Sequence, residues 1–430
     1  MSSVDGWESN STLAIITVRA PVVRHTLAGG GQTCPPGLFA GVAQLDRASV
    51  CGTEGCGFES HRWHQARQAG HQLAELAVES SGLSGCTTPL LTLFNMIRIG
   101  IIGTGIGLSH AKIASKIPGA VVAGICGHNE EKTKNFAKEL GIPFWTADYK
   151  KLLNELIDLV VIASPNDQHF PMFLQALRHE KHIVVEKPAG VSTKEIDEAI
   201  MASSKYKQLV VVNHELRFHP LFSKVKGCIQ DGRMGNISLV ELSYTHNLFS
   251  NPDYKYSWMN DKKSGGGQLQ LMGTHLLDLA NHWLGFPKAE GISIKTTISV
   301  PKRPGPDGRQ RKVTAEDTFT LNGSLGNTLI CLSNGTLGFG YKGLSFKIHG
   351  AKGFLIFDEE RGLRGCFGFG KMEQVVTQSP INLKEGVFKT GLELFWSELI
   401  NRITGNQIET SDSRFCTLDQ ARTVQEIIHK

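Results

Sequence analysis

Gly103-Thr104-Gly105-Ile106 follows a β-branched apolar run (Ile97, Ile99, Ile101, Ile102) and precedes a helical pattern through Ala111, Ile113, Ala114 and Ile117. A strand, a glycine turn and a helix in that order let a backbone approach a pyrophosphate. The glycines remove side-chain bulk, and the helix N-terminus offers N–H groups without intrahelical partners. The third fingerprint position holds Leu108, with Gly107 one place early. A turn of this kind also serves as a plain strand–helix connection, so its meaning depends on its neighbours. Ala120–Cys126 reads as a second buried strand and ends in Gly127-His128. Dinucleotide folds that take NAD carry an acid about 20 residues beyond the glycines, for the ribose 2′-hydroxyl. Its absence removes repulsion against a 2′-phosphate, and His128 can donate to one, so NADP is expected over NAD; otherwise His128 is a polar loop residue. Leu159–Ala163 runs into Ser164-Pro165-Asn166, with His169 beyond. At the carboxyl edge of a parallel sheet, that loop stands where cofactors lie.

The elements that position these residues alternate. Apolar runs at 182–185 and 209–213 are separated by helical patterns, with Ser192 or Thr193 as a cap. Alternation of this kind predicts a doubly wound parallel sheet over 96–217. From Pro220 the pattern changes. An amphipathic helix (220–231) is followed by an alternating strand (237–246), a long polar loop with Trp258 (249–264), Gly265-Gly266-Gly267 and a helix near 274–283. Strands near 292–300, 317–321, 328–332, 344–349 and 354–357 lack long helices between them, which predicts a mostly antiparallel open sheet. Pro301–Ala315 reads as an exposed loop. Helices near 390–403 and 417–429 close the chain. The expected fold class is therefore an α/β dinucleotide-binding domain at 96–217 and an α+β domain at 218–430.

Composition excludes several classes. The chain has 430 residues, 40% apolar and 20% charged, with a net charge of +5. No dense basic stripe points to nucleic acid. No run of about 18 apolar residues predicts a membrane span. Leu13–Val18 is too short for a secretory segment, and the nine cysteines are scattered and odd in number, which fits reduced thiols in the cytoplasm.

Residues 1–95 differ from the rest. They hold four of the nine cysteines and little periodicity beyond a weak helical stretch at 65–78. Gly41–Ser49 and Gly52–Arg62 resemble the peptide obtained when a bacterial transfer-RNA gene is translated as if coding. This leads to the expectation that 1–95 is a spurious upstream translation with the true start at Met96; the alternative is a real, poorly ordered extension.

From Met96 to near the C-terminus, the chain resembles the glucose–fructose oxidoreductase / inositol dehydrogenase (Gfo/Idh/MocA) family. The resemblance rests on an ordered set: Gly103-Thr104-Gly105 with His110-Ala111, Ser164-Pro165-Asn166 with His169, Glu186-Lys187-Pro188, Asn213 with Arg217-Phe218 and Pro220, then Trp258, Gly265-Gly266-Gly267, Gly273, His275 and Asp278. It implies a Rossmann domain holding NADP or NAD through Gly103, Thr104, Gly105, Ile106, Gly127, His128, Ser164, Pro165, Asn166, His169, Glu186 and Lys187. It implies that Lys187 sits between nicotinamide and substrate, and that His275 is the general base on the substrate hydroxyl. Many relatives carry an aspartate four residues before that histidine; here the position is Leu271, and whether Asp278 substitutes is left open. Arg217, Asn247, Tyr254 and Trp258 are candidates for contact with a polyhydroxylated substrate, Arg217 equally for tying the two halves together. His275, Asp278 and His282 share a helix face, yet offer too few features for a metal site, and none is expected.

The implied activity is hydride transfer between a nicotinamide cofactor and a sugar, cyclitol or related hydroxy or carbonyl compound. Two rivals remain: glycoside cleavage by transient oxidation on a retained NAD, and a non-catalytic NADP-binding protein, motivated by Leu271. A homodimer or homotetramer is expected, because relatives often build their interface from the open sheet face.

Overall fold

The computed structural model of the chain describes residues 96–336, 343–368, 370–375, 386–405 and 414–430. The expectations for 1–95 lie outside the described residues. Six strands form the first sheet: β1 (Ile97–Ile102), β2 (Ala120–Cys126), β3 (Phe144–Thr146), β4 (Leu159–Ile162), β5 (His182–Glu186) and β6 (Val210–Asn213). All their pairings are parallel, in the order β3-β2-β1-β4-β5-β6. Helices α1 (Gly107–Ala114), α2 (Glu130–Leu140), α3 (Tyr149–Leu153), α4 (His169–Arg178) and α5 (Thr193–Ser203) accompany it. Apolar side chains on both faces of β1 and β4 are buried, which is why these strands read as continuous apolar runs. The caps follow local chemistry: Asn129 accepts from Lys132 N, and Ser192 from Glu195 N. The strand order reverses between β1 and β4, which opens a crevice at their carboxyl ends. The sequence reading omitted β3 and α3, of three and five residues, because neither is long enough to show a period.

A 3-10 turn (Glu215–Phe218) leads into α6 (Pro220–Gln230) and β7 (Ile237–His246). After the long loop come α7 (Thr274–Leu284), β8 (Ala289–Thr297), β9 (Lys302–Pro304), β10 (Gln310–Lys312), β11 (Thr318–Leu325), β12 (Thr328–Thr336), β13 (Gly343–Gly350), β14 (Gly353–Asp358), β15 (Gly362–Phe367) and β16 (Glu373–Gln374). Eight of these strands form the second sheet, in the order β16-β15-β14-β13-β7-β12-β11-β8, antiparallel except for β7 with β12. Its inner face packs on α6 and α7 through Phe222, Leu276, Leu279, Trp283, Phe346 and Phe357.

The expected loop at 301–315 is corrected. It contains a two-stranded antiparallel ribbon, β9 with β10, and Arg303 within it is 1% exposed. The Arg303 guanidinium donates to the carbonyls of Phe249 (2.5 Å), Asn251 (2.7 Å) and Tyr254 (3.4 Å). Charged and polar composition suggested solvent, but the guanidinium is buried because it satisfies carbonyls of the loop before it.

Two last helices, α8 (Val387–Thr404) and α9 (Leu418–Ile428), return to the first sheet. Leu392, Phe395, Trp396 and Leu399 join one core with Ile99, Val161 and Val184, and Val212 N donates to Cys416 O at 3.0 Å. The chain from 218 onward therefore supplies part of the core around 96–217.

Gly103 sets the tightest backbone constraint in the glycine turn. Its φ is +115°, and a Cβ there would lie 2.1 Å from Ala163 O. Gly103→Ala should destabilise the protein by about 1–3 kcal/mol, through strain and the forced separation of the β1 and β4 ends. A melting curve unchanged from wild type would contradict this.

Candidate active site

The glycine turn is shaped for close approach. A Cβ on Gly105 would meet nothing within 4 Å, whereas one on Gly107 would lie 3.0 Å from Ile101 Cγ2. Gly107 thus takes the helix–strand packing role of the third fingerprint glycine, one residue early. The α1 N-terminus has no side-chain cap, and Ile106 beside it is 51% exposed. Gly127 packs on this turn; a Cβ there would sit 2.5 Å from Thr104 Cγ2. His128 is exposed at the end of β2, and no acid precedes α2. Open space at Gly105 and an uncapped helix end fit a dinucleotide pyrophosphate.

The Pro-Asn loop is more self-contained than expected. Asn166 Nδ2 donates to Gly265 O at 2.7 Å. His169 lies between Pro188 O (2.7 Å, from Nδ1) and Ser164 O (2.9 Å, from Nε2). Both residues are buried and brace loops. Ser164 and Pro165 are half-buried at its edge.

At the end of β5, Glu186 carries a buried carboxylate. Its Oε1 lies 2.7 Å from His110 Nε2 and accepts from Asn213 Nδ2 at 2.7 Å. The Trp396 indole N–H donates to His110 Nδ1 at 3.1 Å. An indole N–H only donates, so His110 Nδ1 must accept, and Nε2 carries the hydrogen toward Glu186. Burial alone would raise the Glu186 carboxyl. The His110 hydrogen bond, the Lys187 ammonium and the Asn213 amide outweigh it and hold the carboxyl at about 2.

Lys187, next in sequence, donates from Nζ to Leu271 O at 2.6 Å. Leu271 belongs to a π turn, Leu269–Gly273, that opens into α7. Desolvation lowers the Lys187 ammonium, while Glu186 and Glu215 act against that. His275, in the first turn of α7, is 5% exposed and lies edge-on to Phe388 and His214. Burial, then Lys187 and His214, push its imidazole well below the ordinary value. The Lys187 ammonium is therefore near enough to His275 to oppose an imidazolium there.

Asp278 does not take the place of the missing aspartate. Arg217 donates to it from Nε (2.8 Å) and Nη2 (2.5 Å), and His214 Nδ1 lies 3.4 Å from it. Arg217 is 0% exposed and also donates to Gln420 Oε1 at 2.7 Å. Of its two expected roles, the structure places it as a tie between the turn after β6, α7 and α9. Its guanidinium donates to the protein acceptors Asp278 and Gln420. The carboxyl facing His275 is Glu215, with Oε1 at 4.0 Å from Nε2. Sequence reasoning missed it. Its one signal was position, two residues beyond β6 at the sheet's carboxyl edge.

Trp258 is half-buried in a 3-10 turn, Asn247 is exposed, and Tyr254 sits in the loop that Arg303 holds. His214, Asp278 and Cys416 bring three potential metal donors within 4.8 Å. Arg217 already neutralises Asp278, and burial raises the Cys416 thiol, so this set does not favour a cation. The grouping differs from the helix-face trio of the sequence, since it omits His275 and His282.

Residues 97–214 match the oxidoreductase family with an NAD-binding Rossmann fold, and 226–414 match that family's C-terminal alpha/beta domain. The chain belongs to the Gfo/Idh/MocA oxidoreductase family. It is 28% identical over 269 residues to an uncharacterized oxidoreductase of Synechocystis sp., across 61% of this chain and 72% of that one. It is 31% identical over 204 residues to the human glucose-fructose oxidoreductase domain-containing protein 2, across 46% and 52%. The latter match thus spans about half of that relative. The fold resembles levoglucosan dehydrogenase solved with NADH and levoglucosan, with a TM-score of 0.68 and 20% identity over 77% of this chain and 95% of that one. Among the described residues, no helix is long and apolar enough to cross a membrane.

Glu186 contributes stability above its unfolded value of 4.5 and loses it as pH falls toward about 2. Urea titrations from pH 5 to 2.5 should show this loss, and Glu186→Gln should flatten it. Trp396→Phe strands the buried His110 Nδ1 and should cost about 1–3 kcal/mol at neutral pH.

Proposed function

We propose that the protein transfers a hydride between NAD(P) and a CH–OH or carbonyl carbon of a polyhydroxylated small molecule, a sugar, cyclitol or relative. What supports this reading is the electrostatic coupling of Lys187 to a buried His275, in a fold whose glycine turn is open at Gly105. Gly103, Thr104, Gly105 and Ile106 would hold the pyrophosphate, Gly127 and His128 the adenosine ribose, and Ser164 and Pro165 the nicotinamide side. The nicotinamide supplies the hydride acceptor or donor. Lys187 directs its ammonium at the reacting oxygen and stabilises negative charge there, in a setting where burial strengthens the interaction. Its hydrogen bond to Leu271 O aims the side chain before substrate arrives. His275 is neutral and accepts the hydroxyl proton or passes one back. Trp258 and the loop that Arg303 fixes border the substrate.

The exposed His128 and the missing acid support NADP over NAD. A homodimer or homotetramer would cover the outer face of the second sheet, where Leu329 is 60% exposed and Cys331 lies beside it. Light scattering on the purified protein checks this; a monomer at micromolar concentration would contradict it.

Lys187→Met should bind dinucleotide as wild type does but lose about 10²–10³ in kcat on whichever substrate a sugar and cyclitol panel identifies. Full turnover in this variant would overturn the assignment. NADP should bind more tightly than NAD, and His128→Ala should narrow the difference. Product formed without accumulation of reduced cofactor would instead indicate transient oxidation.

A further inference from the structure

Glu215 and His275 each leave a buried polar atom without a hydrogen-bond partner among the described residues: Glu215 Oε2 and His275 Nδ1. Glu215 is 8% exposed and His275 5%. They reach the same place from different elements, the turn after β6 and the first turn of α7. Helix α8 fixes Glu215 from behind, since a Cβ on Gly391 would lie 2.5 Å from Glu215 O. Buried polar atoms of this kind need a partner, and none of the described residues supplies one. We propose that Glu215 is the terminal proton carrier of the reaction: the substrate hydroxyl proton crosses His275 and comes to rest on the Glu215 carboxylate. This rests on the oxidoreductase reading above.

The balance is simple. Oxidation of CH–OH breaks one C–H and one O–H bond and forms C=O. The C–H hydrogen leaves with its electron pair to the nicotinamide, and one proton remains. His275 takes that proton on Nδ1 and releases the one on Nε2 to Glu215 Oε1. The 4.0 Å gap between those atoms must shorten by about 1 Å, a change common when substrate binds. Reduction runs the same path backward.

Electrostatics explain why His275 does not keep the proton. The Lys187 ammonium and burial both oppose an imidazolium. Glu215 faces Glu186 at the end of β5, Lys187 just beyond it, and Asp278 and His275 from α7, with His214 preceding it in sequence. Burial and then the Glu186 carboxylate push its carboxyl up to about 8, so it holds a proton at neutral pH and gives it up just above. Glu215 thereby serves as acid for carbonyl reduction near pH 7 and as base for alcohol oxidation above pH 8. It acts through His275 and is a positioning and relay residue.

The test uses the purified full-length protein and the dinucleotides alone. Calorimetry in buffers of different ionisation enthalpy at pH 7.5 measures protons released on binding. The oxidised nicotinamide is cationic and the reduced one neutral, so the oxidised form should release roughly 0.5–0.75 proton per site and the reduced form almost none. Glu215→Gln should bind both and release none. Equal release with both redox forms, or undiminished release in Glu215→Gln, overturns the inference while leaving the oxidoreductase reading intact. Failure of both NAD and NADP to bind overturns that reading itself. If Glu215→Gln does not fold, infrared titration of wild type decides. A protonated-carboxyl band that persists at pH 7 and fades near 8 supports the relay; its absence above pH 6 refutes it.

Discussion

A buried negative charge at the tip of β5 governs this structure. The Glu186 carboxylate cannot be left unpaired in the interior, because an uncompensated buried charge is far more costly than any single packing contact. Its partners come from α1 (His110), from the last strand of the first sheet (Asn213) and, through His110, from a helix nearly three hundred residues later (Trp396). Satisfying one carboxylate thus fixes α1, β6 and α8 relative to β5. It also fixes Lys187, the next residue, whose ammonium is held at the crevice between Glu186, Glu215 and the Leu271 carbonyl.

The same logic ties the second half to the first. Arg217 and Asp278 neutralise one another while fully buried, and Gln420 takes a further guanidinium hydrogen. Asn166 reaches across to the Gly265 carbonyl. The glycine triplet allows this approach: a Cβ on Gly265 would lie 2.8 Å from Asn166 Cβ, and one on Gly266 2.5 Å from Met259 O. The residues that look like ligand contacts in a sequence therefore divide into two groups. Lys187 and His275 act on each other electrostatically from β5's end and from α7. Arg217, Asn166 and His169 spend their polarity on holding its walls, which determines where the first group points.

Much of the fold was readable because it follows periods and caps. Buried parallel strands gave unbroken apolar runs, and α2, α5 and α9 gave side-chain caps and amphipathic faces. The unread parts have physical reasons. The β9–β10 ribbon is short, polar and exposed along β10, and its anchor is an arginine whose burial depends on carbonyls some fifty residues away. The return of α8 and α9 to the first sheet depends on long-range packing that no local pattern records. In the site, Gly107 could be assigned its packing role only after Ile101 was placed beneath it.

Glu215 supplies a carboxyl beside His275 from a different element than α7. A lysine and a histidine that share a reacting oxygen do not by themselves store its proton, since each opposes the charged state of the other. A carboxyl is needed within reach. Leu271 removes it from the turn before His275, and there the π turn offers only a carbonyl, which fixes Lys187 but cannot take a proton. Asp278 is on the right helix but is bound to Arg217, which holds it ionised and unavailable. Glu215 differs in having no such cation bonded to it, a repelling carboxylate nearby and one oxygen without a partner. Those three conditions are what a proton-storing group requires, and together they follow from placing an acid two residues beyond β6, where the sheet edge meets α7.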